Sequence, residues 1–232
     1  VIKDVGEADL TLFKKANEKL TDADARYGLP KEVMFCRRCV ESNQRPSTTV
    51  EFRYTPNAKK EAILFDEDGI CSACRFTERK ALTDWKERDE ELIELCNRFR
   101  RSDGRYDCIV PGSGGKDSVL VAHELKYKYN MHPLTVTWAP HMYTPWGRKN
   151  HDSWIHSGQD NILVSPNGKV HRLLTRLAVD VLFHPFQPFI LGQKLLAPKV
   201  ASAMDIPLIF YGEHEAEYGS PASEKNASMQ QS

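Results

Sequence analysis

The sequence predicts an α/β protein in which a small four-cysteine zinc-binding domain precedes a domain built on a parallel sheet. Two Cys-x2-Cys pairs lie within residues 33–75 and predict the first domain. Apolar strands alternate with helix-like segments between residues 105 and 221 and predict the second. Such alternation favours parallel strands joined by right-handed crossover connections.

The composition restricts the class of protein. The chain has 232 residues, enough for one large or two small domains, with 32 basic and 32 acidic side chains. This balance gives no bulk positive field for nucleic acid or an anionic membrane. No apolar run is long enough to span a bilayer and the polar start has no signal-peptide pattern, so we expect a cytoplasmic protein. Its 6 cysteines then favour metal binding or free thiols over disulfides.

The remaining elements follow from local patterns. Residues 1–32 predict an amphipathic helical lead-in, and residues 76–104 predict one charged linking helix whose apolar stripe packs on the second domain. The polar residues 222–232 predict a disordered tail. In the second domain, the predicted strands are residues 107–110, 133–138, 161–164 and 207–211, and the predicted helices are residues 115–130, 169–182 and 192–204.

The two cysteine pairs are Cys36 with Cys39 and Cys71 with Cys74. Two such knuckles present four thiolates in a tetrahedron, which suits Zn²⁺ with Zn–S bonds of roughly 2.3 Å. Four protein ligands leave no open position for a substrate, so the predicted zinc is structural. An iron–sulfur cluster or free thiols are the alternatives.

A glycine-rich turn with the sequence PGSGGKDS, residues 111–118, directly follows the first predicted strand. It is not a Walker A loop, because Asp117 follows Lys116 where Ser or Thr is needed, and Val110 stands where the first Gly would be. It is not a dinucleotide fingerprint either, since that pattern needs a small residue at position 117.

The turn nevertheless has the composition of a phosphate site. Gly114 and Gly115 let backbone N–H groups face an anion, and the hydroxyls of Ser113 and Ser118 add donors. The N-terminus of the following helix also favours negative charge. A tight strand-to-helix turn without a ligand is the alternative.

The segment SGGKDS, residues 113–118, resembles the SGGxDS loop of the PP-loop ATP pyrophosphatases, which cleave ATP to AMP and pyrophosphate. The resemblance implies that ATP and Mg²⁺ bind here. The residues that it implies for nucleotide binding are Pro111, Gly112, Ser113, Gly114, Gly115, Lys116, Asp117 and Ser118. Those that it implies for catalysis are Ser113, Lys116, Asp117 and Ser118.

Some roles within this resemblance stay open. Lys116 occupies the variable position of the motif, and Asp117 either orients the loop or helps to hold Mg²⁺. In this group of enzymes the adenine contacts the backbone at the end of the second strand, which corresponds to Val136 and Trp138 here. An ordinary core position is the alternative for Trp138.

Over residues 34–221 the chain resembles the N-acetyl sugar amidotransferase family. The segments that carry this resemblance are FCRRCVESNQRPSTTVEF, FDEDGICSACRF, PNGKVHRLLTRLA, HPFQPFILGQK and PLIFYGEHEAEYG. The resemblance implies conversion of an acetamido group to an acetamidino group, in surface polysaccharide (lipopolysaccharide O-antigen) or nonulosonic acid synthesis. The expected substrate is a nucleotide sugar or a nonulosonic acid. It also leads us to expect further helices and strands beyond residue 221.

The expected reaction needs a source of ammonia. Cys96 and Cys108 lie on a helix stripe and in a strand, so both are predicted to be buried small hydrophobic side chains rather than nucleophiles. Neither lies in a glycine-flanked elbow, and the chain begins with Val1 rather than with a catalytic cysteine. We therefore expect no glutaminase activity in this chain. The resemblance implies partners that supply ammonia, a glutaminase and a cyclase-like barrel, similar to the two subunits of imidazole glycerol phosphate synthase.

A second group of candidates follows the last predicted strand, at the edge where open α/β sheets bind ligands. Gly212 opens this group as a nucleotide-binding candidate. Glu213 and Glu217 are spaced to share one face of a helical turn and to hold Mg²⁺, and His214 is placed to act as acid or base. A solvated acidic helix start is the alternative.

Three further sets are weaker candidates. The turn at residues 156–161 is a candidate for contacts with sugar or ribose hydroxyls, with an ordinary turn as the alternative. A basic helix start is a candidate for phosphate contacts, with a solvated face as the alternative, and it contains Lys169, His171, Arg172 and Arg176. The segment HPFQPFILGQK contributes Gln187, Gln193 and Lys194 as substrate candidates.

Two other functions compete with the amidotransferase. A tRNA-thiolating PP-loop enzyme would use the same adenylation, but it needs a basic surface and usually cysteines after the loop. This chain is neutral and has no cysteine after Cys108. The other rival, a non-enzymatic zinc-ribbon scaffold, is disfavoured because the SGGKDS loop is intact.

Overall fold

The structure is a computed structural model, and it describes residues 29–30, 32–44 and 62–213. The chain divides into two units, residues 1–83 with 215–232 and residues 84–214, and each is described by itself. The predicted disordered tail and almost all of the predicted lead-in helix lie outside the described residues. None of the described helices is both long and apolar enough to cross a membrane.

The described residues of the first unit contain the cysteine pairs and helix α1 (Ser72–Ala81). Antiparallel bridges join Phe35 to Ser42 and Phe65 to Cys71, so each pair lies in a tight turn between extended residues. Three of the four cysteines, Cys36, Cys71 and Cys74, form a small core with Ile63, whereas Cys39 is exposed. This core contains few side chains, so burial of apolar surface stabilises this part only weakly.

The second unit begins with helix α2 (Trp85–Phe99). The sequence predicts one continuous helix over residues 76–104, but the structure has two helices, α1 and α2, that are separated at residues 82–84. The side chain of Asp84 accepts hydrogen bonds from the N–H groups of Lys86 and Glu87 at 3.0 and 3.1 Å, and so starts a new helix. Of the predicted apolar stripe, Cys96 is fully buried, whereas the side chain of Trp85 is largely exposed.

The α/β prediction for the second unit is confirmed by four parallel strands in the order β3-β2-β1-β4. The elements after α2 are, in chain order, β1 (Cys108–Pro111), α3 (Lys116–Tyr127), β2 (Pro133–Trp138), α4 (Pro145–His156), β3 (Asp160–Val164), α5 (Gly168–Leu182), α6 (Gln187–Met204) and β4 (Leu208–Ile209). Cys108 pairs with Pro133 on one side and with Leu208 on the other. The chain therefore runs outward from β1 to β3 and then returns to the other side of β1.

The two faces of the sheet carry separate cores, because successive side chains of a strand point to opposite faces. Cys108 and Val110 pack with residues of α2, α3 and α4 on one face. Ile109 and Val136 pack with residues of α6 on the other face. The reversal of strand order between β1 and β4 is a topological switch point, the place where open α/β sheets bind ligands.

The prediction of buried thiols in the second unit is confirmed. Cys96 and Cys108 are both 0% exposed and lie in the core that joins the sheet to α2, α3 and α4. Burial raises the pKa of the Cys108 thiol to about 12 and also raises that of Cys96. Such thiols stay protonated and behave as small apolar side chains.

Helix α4 is an element that the sequence patterns did not predict. It begins where the Thr144 hydroxyl accepts a hydrogen bond from the N–H of Gly147 at 3.0 Å, and Pro145 occupies its first turn. Its buried side chains are only His151 and Trp154, so its apolar stripe is too thin to be recognised by periodicity. The Thr-Pro start is the signal that could have found it.

Candidate functional site

The four cysteines of the two pairs come together in the first unit. All their sulfur atoms lie within 4.8 Å of one another, with Cys36 Sγ 3.9 Å from Cys74 Sγ and Cys39 Sγ 3.6 Å from Cys71 Sγ. A tetrahedron with Zn–S bonds of about 2.3 Å has sulfur atoms separated by about 3.8 Å. The donor set and its spacing therefore fit one Zn²⁺ ion, as the sequence predicts.

The backbone around Cys36 favours its thiolate, whereas burial raises the pKa of Cys71 and of Cys74. The N–H groups of Arg38 and Cys71 point at Cys36 Sγ at 3.4 and 3.3 Å. Burial opposes ionisation of Cys36, but these backbone donors outweigh it and lower the pKa of the thiol to about 6. A positive φ of 74° at Gly69 closes the second turn, and the Gly69 carbonyl accepts the N–H of Arg37 at 3.1 Å.

Ion pairs hold the second cysteine turn to α1. The guanidinium of Arg75 contacts Asp66 at 2.6 Å and Glu78 at 3.0 Å, and Arg38 also pairs with Glu78. The N–H of Ile70 and the Arg75 guanidinium lower the pKa of Asp66. Because these contacts lie beside the ligands rather than among them, they orient the turn and leave the four sulfur atoms for the metal.

In the second unit, the glycine-rich turn connects β1 to α3 at the switch point. The N–H of Gly112 donates to the carbonyl of Val136 at 3.0 Å, which ties the turn to β2. Gly115 is the residue before the helix, and as a glycine it supplies no side-chain cap to the N–H groups of the first helical turn. Uncapped N–H groups at a helix start are donors suited to an anion.

Each glycine of the turn has a different surrounding. A Cβ at Gly112 would lie 2.4 Å from the Ser118 side chain and 2.9 Å from the Trp154 ring. A Cβ at Gly114, which has φ +88°, would lie 2.7 Å from the backbone carbonyl of Asn150. A Cβ at Gly115 would meet no described atom within 4 Å. Packing against α3 and α4 therefore explains the first two glycines, and only Gly115 borders open space where a phosphate fits.

The polar side chains of the turn are arranged around this space. Lys116 Nζ contacts both carboxylate oxygens of Asp117, at 2.6 and 2.8 Å. Ser118 Oγ donates to the carbonyl of Gly115 at 3.1 Å, while the Ser113 side chain is exposed. The Asp117 carboxylate is a hard oxygen ligand of the kind that Mg²⁺ prefers, with phosphate oxygens as its usual further ligands.

The residues that follow β4 lie against the start of α3. A Cβ at Gly212 would lie 2.8 Å from the backbone carbonyl carbon of Asp117 and from the nitrogen of Ser118. The turn after β4 thus packs directly on the start of α3, and the exposed Glu213 is the next residue along the chain. The other two candidates of this group, His214 and Glu217, lie outside the described residues.

We expect Gly212→Ala to weaken ATP binding, because the methyl group must displace the first turn of α3. Overpacking of this kind costs about 1–3 kcal/mol, which corresponds to roughly 10-fold or more in affinity if it falls on the loop. Calorimetric titration with ATP measures the effect. The matched control is Gly168→Ala, whose Cβ meets no described atom within 4 Å at the start of α5. Equal ATP affinity in both variants would show that the turn after β4 does not support the loop.

The adenine candidates divide between core and site. Val136 is 1% exposed and its carbonyl accepts the loop N–H, so its side chain is a core residue and its backbone positions the turn. Trp138 packs on α6, where a Cβ at Gly192 would lie 2.2 Å from the indole ring. Adenine binding at the carboxyl end of β2 stays a prediction.

The turn at residues 156–161 leads into the amino end of β3, at the edge of the sheet opposite to the phosphate loop. The amide of Asn161 donates to the hydroxyls of Thr135 and Thr137 at 2.9 and 3.0 Å, inside the sheet. The Gly158 carbonyl accepts a hydrogen bond from Lys126. These contacts explain Asn161 and Gly158 within the fold, and the candidate role of the turn in contacts with sugar or ribose hydroxyls stays a prediction, with an ordinary turn as the alternative.

The remaining weak candidates, on α5 and α6, differ in solvent exposure. On α5, His171 is 9% exposed and packs inward, whereas Lys169, Arg172 and Arg176 are exposed. Arg176 pairs with Asp180 one helical turn later at 3.7 Å. On α6, Gln187 is buried, while Gln193 and Lys194 are exposed. The basic residues of α5 thus form a solvated face, and His171 belongs to a different environment.

Sequence reasoning missed the residues that support the loop from behind. Asn150, His151 and Trp154 of α4 lie against Gly112 and Gly114. His151 and Trp154 are 3% and 2% exposed. Their contact with the loop depends on a helix that the patterns did not predict.

Comparisons with known proteins do not assign a family. No protein-family model matches the chain. An uncharacterized protein of Methanocaldococcus jannaschii is 35% identical over 77 residues, which are 33% of this chain and 27% of that protein, so the match spans about a quarter of the relative's length. Among solved structures, the NH3-dependent NAD synthetase from Campylobacter jejuni, in complex with nitrate, is similar with a TM-score of 0.45 and 12% identity over 59% of each chain. A likeness at this level does not identify a function.

Proposed function

We propose that this chain is an ATP-dependent, AMP-forming amidotransferase that converts the acetamido group of an N-acetyl sugar to an acetamidino group. The observation that carries the proposal is the SGGKDS loop at the switch point of a parallel sheet, where Gly115 precedes the helix without a side-chain cap and a Cβ on it would meet no described atom within 4 Å. The resemblance of residues 34–221 to the N-acetyl sugar amidotransferases supports the choice of acceptor. The proposal includes a cytoplasmic location, where ATP is available.

The proposed reaction overcomes the poor reactivity of an amide. The acetamido oxygen attacks the α-phosphorus of ATP, an O–P bond forms, and the bond from the α-phosphorus to the bridging oxygen breaks to release pyrophosphate. Ammonia then adds to the carbon of the resulting imidate. The C–O bond breaks, AMP leaves with the former amide oxygen, and one proton is lost to give the acetamidino product.

The loop residues act mainly on the leaving group. Backbone N–H groups from Gly115 onward, with the Ser113 hydroxyl, hold the departing pyrophosphate and stabilise the charge that develops on it. The Ser118 hydroxyl, which donates to the Gly115 carbonyl, fixes the shape of the turn. Lys116 adds a positive charge at the same place. Asp117 and Glu213 would hold Mg²⁺, which supplies further charge neutralisation when it is bound. A role for His214 as acid or base, and for Glu217 at the metal, remains part of the proposal because both residues follow the last strand of the sheet in the sequence.

The proposed acceptors are a UDP-linked diacetamido uronic acid and a nonulosonic acid, and Zn²⁺ at the four cysteines serves stability rather than chemistry. The experiment that tests the function measures AMP and pyrophosphate after ATP, Mg²⁺ and ammonium are mixed with each N-acetyl sugar in turn. Both products should form only when sugar and ammonium are present. Release of ADP and phosphate would rule out the proposal, and products that depend on tRNA and a sulfur donor would favour a thiolating enzyme.

The source of nitrogen gives a separate prediction. With ammonium as donor, activity should rise steeply toward alkaline pH, because only free ammonia is a nucleophile and it is a small fraction of total ammonium at neutral pH. Glutamine should serve only when a partner glutaminase, with its cyclase-like barrel, is added, and this activity should depend much less on pH. Nitrogen-15 labelling of glutamine and ammonium measures both. Glutamine-dependent product formation by this chain alone would contradict the proposal.

A further inference from the structure

A cluster of aromatic and histidine rings, here called the ring cluster, lies beyond the carboxyl end of β2. It consists of Trp138, His141, His171, Phe186 and Phe189. The centroid of the His141 ring is 4.6 Å from that of His171, 5.6 Å from Phe189 and 6.2 Å from Phe186. The Trp138 and His171 rings are 6.3 Å apart. Residues from β2, α5 and the start of α6 therefore meet at one place.

The ring cluster contains buried polar atoms that form no hydrogen bond with a described residue. Trp138 Nε1 and His171 Nε2 are buried, and no described residue forms a hydrogen bond with either. Gln187, the residue after Phe186, is 9% exposed, and its side-chain oxygen is likewise buried without a hydrogen-bond partner among residues 29–30, 32–44 and 62–213. Native proteins pair the large majority of such atoms, so the unpaired Trp138 Nε1 and His171 Nε2 at the ligand edge of the sheet indicate a binding site.

The chemistry of the ring cluster fits a neutral polar ligand with an apolar face. Burial and the neighbouring His141 lower the pKa of His171, so its imidazole is neutral near pH 7. An indole N–H, a neutral imidazole and an amide oxygen match hydroxyl and acetamido groups, and the aromatic rings match the C–H face of a sugar ring. The interplanar angles of 39–52° among the histidine and aromatic rings leave no parallel pair between which a nucleobase would stack.

The position of the ring cluster suits the substrate that accepts the adenylyl group of ATP. The loop N–H of Gly112 bonds to Val136, and Trp138 lies two residues further along the strand, about 7 Å beyond it. The attacking and leaving oxygens of such a transfer lie roughly in line on opposite sides of phosphorus. Because the leaving pyrophosphate would lie at the start of α3, the acceptor is expected to approach from the other face, where α6 packs on the sheet and α5 packs on α6.

We propose that the ring cluster binds the N-acetyl sugar that accepts the adenylyl group, with Trp138 and His171 contacting its hydroxyl and acetamido groups. This inference rests on the proposed function. It assigns residues to the acceptor that motif reasoning placed elsewhere, since Trp138 was expected beside adenine and His171 among phosphate ligands.

The test measures binding rather than turnover. Saturation-transfer NMR gives the affinity of the wild type for UDP-N-acetylglucosamine and for N-acetylneuraminic acid, and calorimetry gives the affinity for ATP. His171→Phe and Trp138→Phe should weaken binding of the preferred sugar roughly 10-fold, the usual effect of a lost hydrogen bond of about 1.4 kcal/mol, and leave ATP affinity unchanged. The matched control is His123→Phe, the same change at an exposed ring on α3. Its affinities should equal those of the wild type.

Other results would overturn the assignment. If ATP affinity falls in the variants and sugar affinity does not, the ring cluster binds the nucleotide base. If no sugar binds the wild type, or if sugar affinity is unchanged in every variant, the site is absent. His141→Phe guards against misfolding, because the His141 side chain is exposed and still contacts His171. It should weaken sugar binding in the same direction.

The site and the proposed function can fail separately. Sugar binding that the variants weaken, in a wild type that forms no AMP, would retain the site and reject the reaction. AMP formation by a wild type whose sugar affinity none of the variants changes would retain the reaction and reject the site.

Discussion

Gly115→Ala is expected to lower AMP formation by at least about 100-fold while the protein stays folded, because a phosphate displaced by the added methyl group loses its contact with the charge-stabilising N–H donors of the loop. The backbone of Gly115 has φ −71° and ψ 154°, which alanine adopts freely, and a Cβ there meets no described atom within 4 Å. The methyl group enters only the space that a phosphate would occupy. The free energy of unfolding should change by no more than about 1 kcal/mol, the cost of alanine at a helix start.

The matched control is Gly114→Ala, one residue earlier. Here φ is +88° and the Cβ would lie 2.7 Å from the backbone of Asn150, so alanine should destabilise the fold by roughly 2 kcal/mol or more. AMP is measured by chromatography and stability by denaturant unfolding. Ser113→Ala and Asp117→Ala should lose AMP formation with the zinc content intact. Full activity in Gly115→Ala would mean that the loop holds no phosphate.

Removal of the metal is expected to have the second large effect. We predict one zinc ion per chain, and Cys71→Ser or a strong chelator should unfold the part of the first unit that carries the cysteines. Structural zinc in small domains contributes about 10 kcal/mol or more in apparent binding free energy, and the small core around Cys36 and Cys71 offers little to replace it. Acid should have the same effect, because protons compete with the metal for thiolates.

Elemental analysis of the zinc content and amide hydrogen exchange test this prediction. After chelation, exchange should become fast in residues 32–44 and 62–83 and stay slow in β1 and β2. Cys96→Ala is the matched control, since Cys96 lies in the core of the second unit and should not affect zinc content. Iron in place of zinc, or folded protein without metal, would contradict the assignment.

The sequence predicted what depends on local spacing. The two cysteines of each pair are close in the chain and lie in one turn. Tetrahedral coordination of one Zn²⁺ ion needs all four sulfur atoms, so it predicts that the two turns meet. The apolar strands and the glycine-rich turn are likewise local patterns. Helix α4 was not predictable from periodicity, since only His151 and Trp154 are buried on it.

Long-range contacts decided what the sequence could not. The separate roles of Gly112, Gly114 and Gly115 depend on α3 and α4 packing around the turn. The same holds for His171, which local reasoning grouped with the basic residues of α5 and which the fold turns toward Trp138. Motif spacing identifies a loop, but only tertiary packing shows which of its atoms remain open to a ligand.

The most direct measurement of the proposed chemistry follows the acetamido oxygen. An N-acetyl sugar labelled with oxygen-18 in its acetamido carbonyl is incubated with the protein, ATP, Mg²⁺ and ammonium, and the products are examined by mass spectrometry. If the carbonyl oxygen attacks the α-phosphorus, one labelled oxygen must appear in AMP for each acetamidino sugar formed. Label in phosphate or pyrophosphate, or AMP that forms without label, would contradict adenylation of the sugar amide.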